Sequence, residues 1–366
     1  MNVLIAGGGT AGHVFPAIAL AERLVEDHGA RVLFVGAPQG QEAKLVPAAG
    51  FEFHAIAAEQ MPRTMSVEAL RAPFTAIASM RACRPFVMGA DVVVGMGGYV
   101  SLPAVLAARR AKKALVLHEQ NAVLGVANRF ASRWANAVGL TFADAAPRLP
   151  RARRTVVTRN PVRARILDVP EHRDALAKEA CSELDLDPDV ATVMVFGGSQ
   201  GALAVDRLVA QALPILAGRD DLQLLVLTGP GHLDVVARAA SLIENPRVAV
   251  LEYLERMELA YAVADLAVSR AGSGNIAELT VCGVPSILVP YPYATENHQE
   301  ANARELERTG GAKVVLQPEL TPERLASAMT ELAGNAPTRR AMGAAAAAWA
   351  KPDAAARLAA VVAEVA

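Results

Sequence analysis

One pattern occurs twice in this chain: a short apolar run leads into a glycine-rich turn, and a helical pattern follows. Residues 3–6 run into Gly7-Gly8-Gly9-Thr10-Ala11-Gly12-His13, and residues 192–196 run into Gly197-Gly198-Ser199-Gln200-Gly201. Apolar runs that alternate with helical patterns are typical of βαβ units around a parallel sheet. The sequence therefore predicts an α/β protein with two Rossmann-like parallel-sheet domains and a ligand in the cleft between them, beyond the carboxyl ends of the strands.

The length of 366 residues fits two such domains. The predicted strands are residues 3–6, 32–36, 92–95, 114–118, 137–140, 192–196, 223–228, 248–252, 266–269, 286–289 and 312–315. Helices are predicted at residues 17–27, 102–111, 203–216, 276–282 and 354–366. The pattern pauses near residue 160, so we expect one domain at residues 1–160 and a second at 161–350.

The formal net charge of −1 is the sum of a basic first part and an acidic second part of the chain. Residues 1–165 carry a balance of +10 and residues 166–366 a balance of −11. A basic first domain indicates an anionic partner; the alternative is compositional drift, since the chain has 30 Arg and 6 Lys. The near-neutral total argues against a nucleic-acid partner. No apolar run reaches the roughly 18–20 residues of a membrane span, so we expect a soluble protein that can still lie on a membrane surface.

Glycine-rich turns follow three predicted strands, at residues 7–12, 95–101 and 197–202. Such turns let backbone N–H groups approach a phosphate. The dinucleotide fingerprint also needs an acidic residue at the end of the second strand. Residues 34–37 offer none, which disfavours a hydride-transfer enzyme. The turns predict a phosphate-bearing ligand; simple packing of strand on helix is the alternative.

Ordered motifs along the chain resemble the MurG family of bacterial glycosyltransferases. They are residues 8–16 (GGTAGHVFP), 95–99 (GMGGY), 118–121 (HEQN), 160–163 (NPVR), 196–202 (FGGSQGA), 269–278 (SRAGSGNIAE) and 297–303 (NHQEANA). The resemblance covers nearly the whole chain. It implies the GT-B fold, with the C-terminal helix 353–366 completing the first domain. In the first turn, Ala11 stands where the family usually has glycine.

The resemblance also implies an activity. It is the inverting transfer of N-acetylglucosamine (GlcNAc) from UDP-GlcNAc to the C4 hydroxyl of the N-acetylmuramic acid (MurNAc) in undecaprenyl-pyrophosphoryl-MurNAc-pentapeptide (lipid I). The product is lipid II. The implied location is the cytoplasmic face of the cell membrane, as a peripheral protein, with an anionic membrane surface and possible cell-wall synthesis enzymes as partners. No cofactor is expected. Another GT-B enzyme that uses UDP-GlcNAc, an epimerase or a transferase with a different acceptor, is the alternative; a nucleotide-binding scaffold without catalysis is disfavoured by the polar residues of the motifs.

A single displacement needs a base and a way to stabilise the leaving UDP. His13, just inside the first turn, is the candidate base; its alternative is a hydrogen bond within the turn or to the acceptor diphosphate. His118 and Glu119 are competing candidates, and a structural turn is their alternative. Gly97, Gly98 and Tyr99 form a turn expected at the acceptor or its phosphates.

Donor-binding residues follow from the resemblance. Thr10, Ala11 and Gly12 contact the donor, Asn121 the sugar, Leu254 the uracil and Gln299 the GlcNAc hydroxyls. Arg163 and Ser199 face the diphosphate; an ordinary helix N-cap is the alternative for Ser199, and both roles can coexist. Glu278 is expected on the ribose hydroxyls. The preceding turn, Ser273, Gly274, Asn275, Ile276 and Ala277, completes the donor set.

Two further surfaces bear on function. Asp185, Asp187 and Asp189 offer a superficial metal pattern, which we interpret as a solvated acidic turn, so no metal is predicted. Leu70, Phe74 and Ile77 have helical spacing, and Arg71, Arg81 and Arg84 lie close to them in sequence. Apolar residues rimmed by arginine suit a lipid headgroup layer; a core-facing helix with a solvated basic face is the alternative.

Overall fold

The computed structural model describes residues 1–56, 67–149, 152–243 and 247–366, and the side chains of residues 67–76 lie outside the description. The chain divides into two compact units. One unit is Met1–Arg163 together with Lys351–Ala366, and the other is Ala164–Ala350. No helix among the described residues is long and apolar enough to span a bilayer.

The first unit is built on β1 (Asn2–Ala6), β2 (Arg31–Gly36), β3 (Glu52–Ala55), β4 (Val92–Gly95), β5 (Ala114–Glu119), β6 (Ala137–Leu140) and β7 (Thr155–Val157). They form one parallel sheet in the order β3-β2-β1-β4-β5-β6-β7. The five predicted strands of this half are confirmed. The sequence missed β3 and β7 because they are short strands towards the sheet edges whose residues are only partly buried, so they lack an apolar run.

The second unit contains β8 (Ala191–Phe196), β9 (Leu222–Leu227), β10 (Val248–Leu251), β11 (Leu266–Ser269), β12 (Ser286–Leu288) and β13 (Ala312–Val314). These strands are also parallel and run in the order β10-β9-β8-β11-β12-β13. All six were predicted. In both sheets the strand that opens the unit lies inside the sheet, so its glycine turn is flanked by the turns that follow its neighbours.

Helices cover the sheets of each unit. The first unit has α1 (Ala11–His28), α2 (Glu42–Ala48), α3 (Val67–Gly89), α4 (Leu102–Ala111) and α5 (Val126–Ala131). The second has α6 (Ala164–Leu167), α7 (Val169–Leu184), α8 (Leu203–Leu216), α9 (Leu233–Ala240), α10 (Met257–Val263), α11 (Ser273–Val281), α12 (His298–Arg308), α13 (Pro322–Ala333) and α14 (Ala336–Trp349). The last helix, α15 (Ala354–Val365), belongs to the first unit.

The C-terminal helix is part of the first unit's core, as the resemblance implies. Leu358 and Val362 are fully buried in the cluster that contains Ile5 of β1. A Cβ atom on Gly139 of β6 would lie only 2.7 Å from Leu358 Cδ1, so the helix sits directly against the sheet backbone. Burying these side chains contributes about 1.5–3 kcal/mol each.

Candidate active site

The first glycine turn, between β1 and α1, is held by the buried carboxylate of Glu42. Gly9 N–H donates to Glu42 Oε2 and Ala37 N–H donates to Oε1, both at 2.8 Å. Glu42 is 1% exposed. Cβ atoms on Gly8 and Gly40 would lie 2.1 and 2.2 Å from this carboxyl group. These glycines leave room for a side chain, and the Gly9 amide is bonded within the protein.

Sequence reasoning missed Glu42. The dinucleotide test looks for an acidic residue at the end of the second strand, and β2 ends at Gly36 without one. Glu42 comes six positions later and returns to the glycine turn instead of projecting toward a ribose. Gly36 and Gly40 precede Glu42, and a Cβ atom on either would lie within 2.5 Å of the Glu42 side chain. These two glycines are the sequence signal that a side chain packs against the turn.

His13 lies between the first and second glycine turns. Its Nδ1 is 3.2 Å from Thr10 Oγ1, and the residue is half-buried. A Cβ on Gly97 would be 3.7 Å from His13 Cδ2, and one on Gly98 would be 4.0 Å from His13 Nε2. The Nε2 edge of the ring therefore faces the turn that follows β4.

The turn into α1 places Thr10 and Gly12 at exposed positions, while Ala11 is 5% exposed. Thr10 is the N-cap residue with extended backbone, and Ala11 is the first residue of the helix. A right-handed helical backbone suits alanine as well as glycine, so the departure at Ala11 introduces no φ strain.

The second turn needs glycine for its backbone. Gly97 and Gly98 have φ of +87° and +74°, a backbone region that residues other than glycine rarely adopt. Ser101 Oγ donates to Gly98 O at 2.9 Å and fixes the turn. Tyr99, 38% exposed, stands at its tip.

Glu119, at the end of β5, ties down the loop that follows it. Its carboxylate accepts from Asn121 N, Gly125 N and Asn128 Nδ2, each at 3.0 Å. Asn128 Nδ2 is also 3.0 Å from His118 O. Burial raises the pKa of Glu119, and these hydrogen bonds oppose that rise. The carboxylate thus has structural partners, and Asn121 is presented by a loop that it orders.

His118 is fully buried, and its Nε2 lies 3.2 Å from Arg159 O. Burial lowers the pKa of His118 to about 4, so the ring is neutral at physiological pH. Of the three base candidates, His13 is the one with solvent exposure, whereas His118 and Glu119 are enclosed.

Arg163 packs on the first helix. Its guanidinium lies 4.2 Å from the ring centroid of Phe15, which follows His13 by two positions on α1. A cation over an aromatic ring is held without losing its charge. The structure thus places Arg163 beside the N-terminal part of α1.

In the second unit, the glycine turn after β8 is packed tightly against its neighbours. A Cβ on Gly198 would lie 3.4 Å from the Asn275 amide, and one on Gly201 would lie 2.3 Å from Thr228 O. Both glycines have positive φ, +87° and +69°. The turns after β8, β9 and β11 therefore meet at the carboxyl edge of this sheet.

Ser199 and Leu254 lie on exposed turns of that edge. Ser199 is exposed, and the N-cap residue of α8 is Ala202, so the capping alternative for Ser199 is wrong. Leu254 is half-buried in the turn after β10.

Five of the predicted donor residues form the start of α11, directly after the turn that follows β11: Ser273, Gly274, Asn275, Ile276 and Ala277. Asn275 Nδ2 donates to Ser269 Oγ at 3.0 Å and to Arg270 O at 3.2 Å, which closes the turn. Ile276 and Ala277 are buried at 0% and 5% exposure, so their side chains belong to the packing of α11.

Glu278 lies in the middle of α11, where a partner from another helix orients it. Tyr261 OH of α10 donates to Glu278 Oε2 at 2.8 Å, and Tyr261 is fully buried. Glu278 itself is half-buried. A carboxylate held in this way is pre-organised to accept from hydroxyl groups.

Gln299 lies in the first turn of α12. Its Oε1 accepts from Tyr291 N at 3.0 Å, which fixes the amide and directs its N–H groups away from that backbone. Arg270 supports the same loop, because its guanidinium donates to Val289 O and Pro290 O at 3.1 and 3.2 Å. Burial lowers the pKa of Arg270 to about 10.

The acidic turn has surface partners. Asp187 accepts from Asp189 N and pairs with Arg247, both at 3.0 Å. The Asp189 backbone bond, followed by Arg247, lowers the pKa of Asp187. Asp185 and Asp189 are both exposed. These contacts are those of a solvated turn.

The predicted membrane-facing helix corresponds to α3. Ile77 is 46% exposed, and Arg81 and Arg84 are also exposed. Three members of the predicted set have side chains outside the described residues: Leu70, Arg71 and Phe74.

A second basic and aromatic cluster lies at α4 and α5. Arg109 is 3.7 Å from the Trp134 ring centroid, and Arg133 is 5.1 Å from that of Phe130. Phe130 is 43% exposed, and Val126 is 66% exposed. Because α3 packs on α4, the two sets belong to neighbouring helices of one unit.

Comparison with known proteins agrees with this architecture. Residues 3–140 match the glycosyltransferase family 28 N-terminal domain, and residues 192–358 match the family's C-terminal domain. The chain belongs to glycosyltransferase family 28, whose members have the GT-B fold.

Within this family the chain is similar to the MurG enzymes. A Desulfitobacterium hafniense relative is named UDP-N-acetylglucosamine–N-acetylmuramyl-(pentapeptide) pyrophosphoryl-undecaprenol N-acetylglucosamine transferase. It is 38% identical over 97% of this chain and 96% of its own. A Lactiplantibacillus plantarum relative of the same name is 36% identical over 98% of both chains. The crystal structure of Acinetobacter baumannii MurG superposes with a TM-score of 0.76 at 28% identity, over 99% of each chain.

Proposed function

We propose that this chain transfers GlcNAc from UDP-GlcNAc to the C4 hydroxyl of MurNAc in lipid I and so forms lipid II for peptidoglycan synthesis. The first unit binds the acceptor and the second binds the donor. One observation carries the proposal: each unit gathers its glycine turns and fixed polar side chains at the carboxyl edge of its sheet, in a chain whose full-length relatives bear that name.

His13 is the base that takes the acceptor proton. It is half-buried, its Nδ1 is oriented by Thr10, and its Nε2 edge faces the second glycine turn. Positioned bases contribute about 10²–10⁴-fold to rate. His118 and Glu119 instead shape the loop that carries Asn121, because both are enclosed and hydrogen-bonded.

The acceptor diphosphate binds at the second turn. Gly97 and Gly98 allow close backbone approach, and Tyr99 lies exposed at the tip. Thr10, Ala11 and Gly12, at the start of α1, contact the donor. The amides at a helix start favour an anion.

The donor is held mainly by the second unit. Glu278, oriented by Tyr261, accepts from the ribose hydroxyls, and Leu254 contacts the uracil. Gln299 donates to the GlcNAc hydroxyls through its amide N–H groups, since its Oε1 is engaged by Tyr291. Asn121 adds a bond to the sugar.

The leaving UDP carries its developing charge on the diphosphate. Ser199, the amides of the turn after β8 and the start of α11 from Ser273 to Ala277 are the donors that stabilise it. Arg163 adds a cation, and its stacking on Phe15 keeps the guanidinium in place. A single in-line displacement with these groups inverts the anomeric configuration.

A basic face of the first unit docks on anionic lipid at the cytoplasmic surface of the membrane. Ile77 and Phe130 are exposed apolar residues of this unit, and its Arg81, Arg84 and Arg109 are exposed as well. Basic residues near anionic lipid contribute about 1 kcal/mol each. Such docking would bring the enzyme to an acceptor whose lipid chain is in the bilayer.

The function is tested by incubating purified protein with labelled UDP-GlcNAc and a soluble lipid I analogue. We expect label in a disaccharide-lipid. Epimerised free sugar without that product would favour the epimerase alternative, and transfer only to other sugars would overturn the acceptor assignment. For variants that replace a histidine of the proposed site, His28→Gln is the matched control, because His28 is exposed in the last turn of α1.

A further inference from the structure

A buried acid–histidine pair lies beside the glycine turn that follows β8. Asp206, in the first turn of α8, is 1% exposed, and its Oδ2 is 3.3 Å from His232 Nδ1. The His232 side chain is 23% exposed and precedes α9 as its N-cap residue. Nothing in the reaction described above uses either residue.

The pair is in direct contact with the turn. A Cβ on Gly201 would lie 3.1 Å from His232 Nδ1 and 2.3 Å from Thr228 O, and one on Gly229 would lie 2.4 Å from Gly201 Cα. Backbone therefore packs on backbone, with the imidazole wedged alongside. A change in the charge of His232 therefore alters the electrostatic potential at the backbone amides of that turn, which lie only a few ångströms away.

Cations are scarce on the three turns that meet here. Residues 197–202, 228–232 and 269–275, all of them described, include two residues able to carry positive charge, Arg270 and His232. Arg270 is 6% exposed and donates to Val289 O, Pro290 O and Gln317 Oε1. Its charge is thus directed into the loop after β12, and His232 is the titratable cation of the set.

We propose that Asp206 and His232 form a proton-linked charge pair behind the diphosphate-binding turn, so that donor binding takes up a proton at this pair. The inference rests on the proposed donor site. Asp206 acts as a positioning residue through His232, and His232 supplies positive charge when the diphosphate is bound.

The physical basis is the electrostatic balance around Asp206. Burial raises the pKa of Asp206 to about 6, whereas His232 and the more distant Arg270 oppose the rise. Glu252, after β10, accepts from Gly231 N beside His232 and adds negative charge there. Because the two side chains are 3.3 Å apart, the proton equilibrium of one depends on the charge of the other.

The sign of the linkage follows. A bound diphosphate favours the protonated pair, so the apparent pKa of the pair is higher in the complex than in the free protein. Between those two pKa values, binding takes up a fraction of a proton, and donor affinity weakens as pH rises, by at most about tenfold per pH unit. Outside that window, affinity is independent of pH.

The test is isothermal titration calorimetry of the full chain with UDP-GlcNAc at several pH values from 6 to 8. Each titration is repeated in PIPES and in Tris, which differ in ionisation enthalpy, so the difference in heat counts protons. UDP-GlcNAc is used because its diphosphate has no terminal phosphate that titrates in this range. We expect fractional proton uptake by the wild type, a smaller uptake by His232→Gln, in which Asp206 alone remains, and an altered value for Asp206→Asn.

The His28→Gln control should keep the wild-type uptake. Steady-state kinetics supply the second readout: His232→Gln should raise the donor KM about 3–10-fold, with kcat and the unfolding midpoint little changed, as expected for loss of one charge-assisted interaction. Equal proton uptake in wild type and His232→Gln, or none in the wild type across the range, would overturn the pair. No binding heat at all would instead count against the proposed donor site.

Discussion

Replacement of Glu42 by glutamine tests whether a buried carboxylate sets the geometry of the first glycine turn. Glutamine is nearly the same size, but it presents one oxygen and one NH2 group where the native side chain presents two acceptors. Gly9 N–H and Ala37 N–H both need an acceptor, so one of them would face another donor.

The magnitude follows from these contacts. A hydrogen bond to a charged group contributes about 1.5–3 kcal/mol, and an unsatisfied buried donor costs about 1–3 kcal/mol. Glu42→Gln should therefore destabilise the first unit by about 2–4 kcal/mol. Because His13 follows the same turn, a displacement near 1 Å should also lower kcat/KM by at least about 10-fold, up to 10².

The assay can isolate the first unit. The chain has two tryptophans, Trp134 in the first unit and Trp349 in the second. In a Trp349→Phe background, Trp134 fluorescence during urea unfolding reports on the first unit alone. Glu52→Gln is the matched control, since the Glu52 side chain is 49% exposed and its ion pair with Arg31 lies in solvent, where such pairs add little stability.

A double-mutant cycle adds a sharper readout. The Cβ of Gly40→Ala collides with the native carboxylate and should be better tolerated once Glu42→Ala has removed it, with a coupling of about 1–3 kcal/mol. If Glu42→Gln leaves both the unfolding midpoint and kcat/KM unchanged, the carboxylate does not hold the turn and the reasoning is refuted.

Further predictions concern the base, the donor, stability and the membrane. His13→Ala should lower kcat by about 10²-fold or more in saturating substrate assays; a near-normal kcat would exclude it as base. Glu278→Ala should chiefly raise the donor KM, and an unchanged KM would remove it from the ribose. Because the folded pKa of His118 is about 4, below the roughly 6.5 of an unfolded histidine, stability should fall as pH drops from 6.5 toward 4. Urea unfolding of His118→Asn should lose that component of the pH dependence, and an unaltered profile would refute it. Arg81→Glu with Arg84→Glu should weaken sedimentation with anionic vesicles by more than 10-fold, at about 1 kcal/mol or more per charge; the same reversals on exposed arginines of the second unit should not.

Much of the fold was predictable because a buried parallel strand has apolar side chains on both faces, which gives a continuous apolar run in the sequence. Every such run became a strand, and the glycine turns marked where the central strands end. The edge strands β3 and β7 were missed, since partly exposed residues carry no such run. The start of α1 was placed at residue 17 instead of Ala11, because Gly12 and Pro16 weaken the helical pattern.

The candidate site was predictable as a set of motifs but not as contacts. Glu278 was identified from its turn, whereas its partner Tyr261 is 17 residues earlier on another helix. Glu42 lies 33 residues from the Gly9 amide that it accepts from. The pairing of Asp206 with His232 joins the helix that follows β8 to the turn that follows β9. These contacts depend on how helices and turns pack at the sheet edge, which a linear motif does not encode.

The most direct test of the central claim is the structure of the product formed from UDP-GlcNAc, labelled with carbon-13 at the anomeric carbon, and a lipid I analogue. Proton–carbon NMR of the purified product should show GlcNAc on MurNAc C4 in the β configuration, inverted from the α configuration of the donor. A product with retained α configuration would contradict a single displacement, and one in which GlcNAc is attached elsewhere would contradict the proposed acceptor hydroxyl.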